Sequence, residues 1–263
     1  MQVKYCDIHA HLNFKDFDAD RDEVIARCKE EGVLVNNVGT SLATSREVVA
    51  LAESAAGGHL YATVGVHPTD WEKGFDEKEF LALAEHQKVI AIGECGLDYY
   101  HMKDESEKVE QKKLFEAHIA LAERVAKPLM LHIRSAATAP EQAYADTLEI
   151  LNAHPQVRAH AHFFAGDWAT AEAYLRRGIS LSFTGVITFA RQYDEVIAKV
   201  PEEMLLAETD APFVAPEPYR GKRGEPLYVR EVVQKLAEIR GEAPERLAKT
   251  LLHNARRVFA IAS

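Results

Sequence analysis

Val3-Lys4-Tyr5-Cys6-Asp7-Ile8-His9-Ala10-His11 is a short extended run that ends in two imidazoles one residue apart. In an extended backbone, residues i and i+2 point the same way, so both rings can face one cation. The pattern is repeated outward along the chain. Apolar or β-branched runs at 3–9, 33–38, 60–66, 89–93, 128–132, 158–162, 179–183 and 204–207 read as eight strands. Between them lie segments of helical period at 20–31, 45–54, 76–86, 105–126, 168–177 and 191–199, followed by 226–240 and 244–260. The first of these sets Val24, Ile25 and Cys28 on one face, and 105–126 aligns Leu114, His118, Leu121 and Val125. Strands alternating with helices predict a closed parallel (β/α)8 TIM barrel rather than an open doubly wound sheet. The 263 residues match the ~250 such a barrel needs.

No repeat, low-complexity tract or linker divides the chain, so one domain spanning 1–263 is expected. The Pro-rich stretch 211–226 is the long irregular segment. It falls between the eighth strand and its helix, where a barrel carries functional loops. Hydrophobic residues make up 47% and charged residues 27%, as in ordinary globular proteins. No run approaches the ~20 apolar residues of a membrane span, and the N-terminus lacks a signal-peptide core. Three cysteines without CxxC spacing predict reduced thiols in a cytoplasmic protein. The net charge of −10 argues against a broad basic surface for long duplex DNA. A nucleic-acid substrate at the site itself stays compatible, because bound divalent cations offset local acidity.

The chemistry-bearing residues gather at the C-terminal ends of the strands, where barrel enzymes keep their active sites. His9 and His11 follow strand one, Glu94 strand four, His132 strand five and His162 strand six. Strand eight runs into Glu208-Thr209-Asp210. Each alone has a bland reading as a hydrogen-bond partner or cap. Together they resist it, because buried charge is costly unless paired or metal-bound. His9, His11, Glu94, His132, His162 and Asp210 exceed the three protein ligands of a typical catalytic zinc site. Two cations ~3.5–4 Å apart would use them, bridged by Glu94 or by a hydroxide. Mixed nitrogen and oxygen donors suit Zn, Mn or Co and admit Mg.

DIHAHLNF (7–14), VGVHP (64–68), IGECGLDYY (92–100), LHIRSA (131–136), HFFAG (162–166), ETDAPFVAP (208–216), YRGKRGEP (219–226) and HNARRVFAI (253–261) cover nearly the whole chain in order. In these motifs the sequence closely resembles the TatD family of metal-dependent deoxyribonucleases. The resemblance implies a barrel and divalent-metal-dependent hydrolysis, often of DNA from the 3′ end. It also implies that His9, His11 and Asp210 hold one metal, that His132 and His162 hold the other, and that Glu94 bridges them. The family often has Cys and Ser where this chain has Phe163 and Ala165, a departure that touches substrate contacts rather than the metals.

Around this set, His67 precedes Pro68 at the third strand's rim, either fixing that loop or meeting substrate. Glu208 alternates with Asp210 and is expected to orient a ligand or the water from behind. Asp98, Tyr99 and Tyr100 read equally as loop packing or as substrate contacts. Arg134 shares the side of His132. Arg220, Lys222 and Arg223 lie in a glycine-containing loop at a frequent phosphate position of barrels. Guanidinium groups suit phosphate there, with a solvated basic turn as the plain alternative. The expected reaction is hydrolysis of DNA phosphodiesters, preferably of single strands or 3′ ends, with Asp210 as proton acceptor. An amide, ester or lactone hydrolase on the same scaffold is the rival reading, and a weakly catalytic metal-binding interaction protein the third.

Overall fold

A computed structural model describes residues 2–54 and 59–262. Eight parallel strands, β1 (Tyr5–Ala10), β2 (Val33–Val38), β3 (Leu60–Val64), β4 (Val89–Asp98), β5 (Leu129–Arg134), β6 (Ala159–Ala161), β7 (Ser180–Phe183) and β8 (Leu205–Ala207), pair in sequence order. The sheet curls until its edges meet. The Asp210 N–H donates to the His9 carbonyl at 2.9 Å, and the His11 N–H donates to the Ala211 carbonyl at 2.7 Å. This is the TIM barrel expected from the strand–helix alternation, nearly closed, with its seam at the C-terminal ends of β1 and β8.

Helices α1 (Arg21–Glu31), α2 (Leu42–Ser54), α3 (Glu77–Ala84), α4 (Glu107–Val125), α5 (Gln142–Ala153), α6 (Trp168–Arg176), α7 (Asp194–Lys199), α8 (Val229–Arg240) and α9 (Pro244–Phe259) interleave with the strands. Every residue of β2 and of β4 is buried, as parallel strands covered on both faces require. Helix α5 had no counterpart among the helical segments read from sequence. Its N-cap, Glu141, makes no side-chain capping bond, so the usual start signal is absent. It is placed instead by burial of Ala143, Tyr144, Thr147 and Leu151. The segment read as one helix over 191–199 begins with a 3-10 turn, Arg191–Tyr193, before α7.

Strand four runs five residues past its expected end at Gly93, through Asp98. The glycines that look like a terminus are what let it continue. Gly93 and Gly96 take φ of 149° and 131°, in the region L side chains avoid. A Cβ at Gly96 would stand 2.3 Å from the His132 carbonyl oxygen, and one at Gly93 would stand 2.4 Å from that of Met130. The β4–β5 register shifts between Ile92 and Cys95, which places Glu94 at the shift.

His118, on the buried stripe of α4, joins the helix to the loop after β3. Its Nδ1 donates to the Leu114 carbonyl at 2.8 Å, and its Nε2 accepts the Val66 N–H at 2.9 Å. The ring is therefore neutral, and burial lowers its pKa to about 4. The unfolded chain, with a pKa near 6.5, takes up this proton first. The stability is thus fully present above pH 6.5 and is lost as pH falls to about 4, by roughly 3 kcal/mol. His118→Leu should lower stability at pH 8 yet flatten the acid slope between 6.5 and 4 relative to wild type. Urea unfolding of chelator-treated protein across that range checks this, and an unchanged slope would remove His118 from the account.

Candidate metal centre

The barrel seam and β4 bring the donors together. His9 Nε2 and His11 Nε2 lie 3.2 Å apart, and Asp210 Oδ1 is 3.7 and 3.5 Å from them. Across the barrel mouth, His132 Nδ1 and His162 Nε2 lie 3.4 Å apart, and Glu94 Oε1 is 2.8 and 2.9 Å from them. The second oxygen of Glu94, Oε2, faces the first set at 3.5 Å from His9 and 3.8 Å from His11. Bonds of ~2.0–2.1 Å to a tetrahedral ion put donors ~3.3 Å apart, a spacing that both triads can meet. Each triad could hold a cation, as could two further groupings: His9 with His162 and Glu208, and His67 with Asp98 and His132. No cysteine takes part; Cys95 turns its thiol to the Ile92 and Met130 carbonyls.

Hydrogen bonds behind the donors fix which nitrogen faces the centre. His11 Nδ1 donates to the Val38 carbonyl at 2.9 Å, leaving Nε2 bare. Glu208 Oε2 lies 3.2 Å from His162 Nδ1, while Oε1 accepts the Phe163 N–H and the Ser182 hydroxyl. Glu208 thus sits behind His162. It is also 4.0 Å from His9 Nδ1, a buried nitrogen with no hydrogen-bond partner. Asp7, which the sequence reading passed over, accepts the His9 N–H, the Thr209 N–H and the Thr209 hydroxyl. It ties β1 to the strand that delivers Asp210. Its signal was present in the D-x-H-x-H spacing, but its partner lies 202 residues away.

Electrostatics bind the groups together. Burial raises the pKa of Glu94, yet the neighbouring His162 and His9 and the His132 hydrogen bond bring it well below the usual range. Burial lowers that of His162, and Glu94 and Glu208 more than reverse the effect. Glu94 therefore remains ionised and His162 is held toward its protonated form, a proton that a cation can displace, whereas burial lowers the pKa of His9. His67 points its Nε2 at Glu94 Oε1 from 3.7 Å and its Nδ1 at the Thr69 hydroxyl at 2.7 Å. Burial, with the neighbouring His132, takes its pKa down to about 3, so it is a neutral ring at the rim.

Above the centre opens a cavity of about 910 Å3. His11, Glu94, His132, His162 and Asp210 border it with His67, Arg134, Phe14, Phe163 and Phe213. Arg134 is exposed, with its guanidinium 4.2 Å from the Tyr100 ring centroid. Tyr100 and Phe213, each about half exposed, offer aromatic surface at this end, whereas Tyr99 and Phe164 are buried. The loop after β8 contributes differently from Arg134. Arg223 pairs with both oxygens of Asp20 at 2.7 Å, with Glu225 at 3.0 Å and with the Asp16 carbonyl. Arg220 lies over the Phe189 ring at 4.1 Å, and Lys222 is exposed. None of the three is among the residues bordering the cavity.

A parallel eight-stranded barrel with histidines and carboxylates converging at its C-terminal rim defines a metal-dependent hydrolase. The sequence profile of the family described as TatD related DNase matches residues 6–260, and the chain belongs to that family. It is 38% identical over 265 residues to the uncharacterized metal-dependent hydrolase YabD of Bacillus subtilis, covering 97% of this chain and 98% of that one. It is 34% identical over 266 residues to the 3′-5′ ssDNA/RNA exonuclease TatD of Erwinia billingiae, covering 97% and 98%. Among solved structures, the TatD homologue YJJV of Escherichia coli K12 superposes with a TM-score of 0.88 at 30% identity, covering all of both chains.

The anchoring of Arg223 gives a test that needs no substrate. Arg223→Ala should cost about 1–2 kcal/mol, since it removes a two-point carboxylate contact and a backbone bond from a partly buried position. Arg134→Ala should stay within about 0.5 kcal/mol. Thermal unfolding of both variants reads the difference, and equal stabilities would contradict the structural role assigned to Arg223.

Proposed function

We propose that this protein hydrolyses DNA phosphodiester bonds from the 3′ end of single strands, using two divalent cations held on either side of Glu94. The carrying observation is the Glu94 carboxylate, with one oxygen turned to His9 and His11 and the other to His132 and His162. That is the placement of a bridge. The description of the family as DNase-related, and of the Erwinia relative as an exonuclease on single-stranded DNA and RNA, supports a nucleic-acid substrate. So does an acidic chain whose cavity bears an exposed arginine, because it suits capture of one strand end rather than grip along a duplex. The three free, buried cysteines and the lack of any helix, among the described residues, long and apolar enough to cross a membrane fit a cytoplasmic setting.

When bound, the two ions, whether Zn, Mn, Mg or Co, supply a nucleophilic hydroxide near neutral pH and neutralise phosphate charge. The residues of the chain do the rest. Asp210, its backbone pinned to the His9 carbonyl, accepts the proton of the attacking water. Glu208 and Asp7 hold the ligands still. Arg134 meets a non-bridging phosphate oxygen or the adjoining phosphate. His67, neutral beside Glu94, donates or accepts a hydrogen bond at the leaving side, and Tyr100 and Phe213 offer faces on which terminal bases stack. Arg220 and Lys222, outside the cavity border, are placed to attract the more distant strand.

The test is hydrolysis of single-stranded DNA with a free or a blocked 3′ end, by metal-stripped protein and after return of Mg, Mn, Zn or Co. Glu94→Ala serves as the control. Cleavage should require metal and a free end, and should fall by more than about 1000-fold in Glu94→Ala, as when a group holding a catalytic ion is lost. Equal cleavage of both ends would replace exonuclease with endonuclease action. No cleavage by metal-loaded wild type would turn attention to amide, ester and lactone substrates.

A further inference from the structure

Asp98 closes β4 at a fully buried position, and its two oxygens have different partners. Oδ1 accepts the backbone N–H groups of Tyr100 and His101, each at 3.0 Å. Oδ2 lies 3.0 Å from His132 Nε2 and 2.8 Å from His101 Nδ1. Its main chain is clamped by the buried Gln111, whose amide oxygen accepts the Asp98 N–H at 2.8 Å and whose NH2 donates to the Asp98 carbonyl at 2.9 Å. The carboxylate therefore cannot turn without breaking four hydrogen bonds.

We propose that Asp98 is a positioning residue that sets the tautomer of His132, holding its proton on Nε2 so that Nδ1 faces Glu94 and His162 as a bare metal donor. The inference rests on the metal-centre reading above. A neutral imidazole carries one proton on one of two nitrogens. At His132 the choice is decisive, since a proton on Nδ1 would point at Glu94 Oε1, 2.8 Å away, and occupy the direction a cation needs. An ionised carboxylate only accepts, so Asp98 favours one tautomer and orients the ring as well. The role is unlike that of Glu208, which braces the opposite nitrogen type, Nδ1 of His162.

Asparagine separates this role from simple packing. In Asp98→Asn the amide oxygen must stay on the two backbone N–H donors, which turns its NH2 group toward His132 Nε2. That nitrogen then has to accept, and the proton is driven to Nδ1. Asp98→Ala removes the acceptor without imposing either tautomer. A packing role ranks the near-isosteric asparagine as the milder change, whereas the tautomer role ranks it as the more severe.

The experiment titrates Mn2+ and Zn2+ into the metal-stripped full chain by calorimetry, for wild type, Asp98→Asn and Asp98→Ala, with thermal unfolding as the folding check. Histidine 15N shifts read the His132 tautomer directly, without metal. Wild type should bind two ions, and Asp98→Asn should weaken one of them about 10–100-fold, more than Asp98→Ala does. In the asparagine variant the neutral His132 ring should carry its proton on Nδ1. If Asp98→Ala does not fold, the asparagine titration and the shifts still decide. Wild-type affinity in Asp98→Asn, or an unmoved tautomer, overturns the inference. Loss of only a third ion, bound through His67, Asp98 and His132, also overturns it and makes Asp98 a ligand. Wild type that binds no ion brings down the metal-centre reading, while the shifts still judge the tautomer separately.

Discussion

Glu94 is almost sealed from solvent yet ionised, and the architecture around it is organised to make that tolerable. An isolated buried carboxylate is costly, and here five imidazoles, those of His9, His11, His67, His132 and His162, surround it within 4 Å. Reaching that arrangement requires β4 to run against β5 with no side chain between the backbones at Gly93 and Gly96. It also requires the first and last strands to meet, because His9, His11 and Asp210 lie at the seam. Barrel closure and assembly of the centre are therefore one event. The bonds between His9 and Asp210 and between His11 and Ala211 join the sheet edges at the candidate metal donors.

Around the donors runs an outer ring of acceptors contributed by neighbouring elements. The Val38 carbonyl comes from β2, Glu208 follows β8, and Asp7 lies within β1. Each binds the back of a donor or the backbone that carries it, so orientation comes from the barrel framework rather than from mobile loops. This preorganisation matters for a hydrolase, because a misplaced donor weakens both the hold on a cation and the alignment of the water. The rim is built otherwise. Arg134, Tyr100 and Phe213 remain solvent-exposed.

Much of this was legible in the sequence, because a parallel barrel writes itself as short buried runs with polar residues at their ends. The donor set could be read from His9, His11, Glu94, His132, His162 and Asp210, each at or just beyond the end of a run. What escaped depended on distant partners. Helix α5 lacks a capping side chain and is fixed by tertiary burial. The extension of β4 hides behind glycines that normally punctuate a strand. Asp7 reads as an unremarkable acid until Thr209 is brought beside it, and Asp98 as a loop or substrate residue until His132 is. Arg223 looked free in the loop sequence, but Asp20, from the first helix's N-cap, lies against it in the fold. Local pattern records which faces are buried, and long-range pairing decides which charges remain available.

The most direct test of the central claim is anomalous scattering from crystals of the protein grown with Mn2+ or Zn2+. Two peaks are predicted, one among His9, His11 and Asp210 and the other between His132 and His162, with the Glu94 carboxylate spanning them. A single peak outside both sets, or none with Glu94 still in place at full metal concentration, would contradict the account.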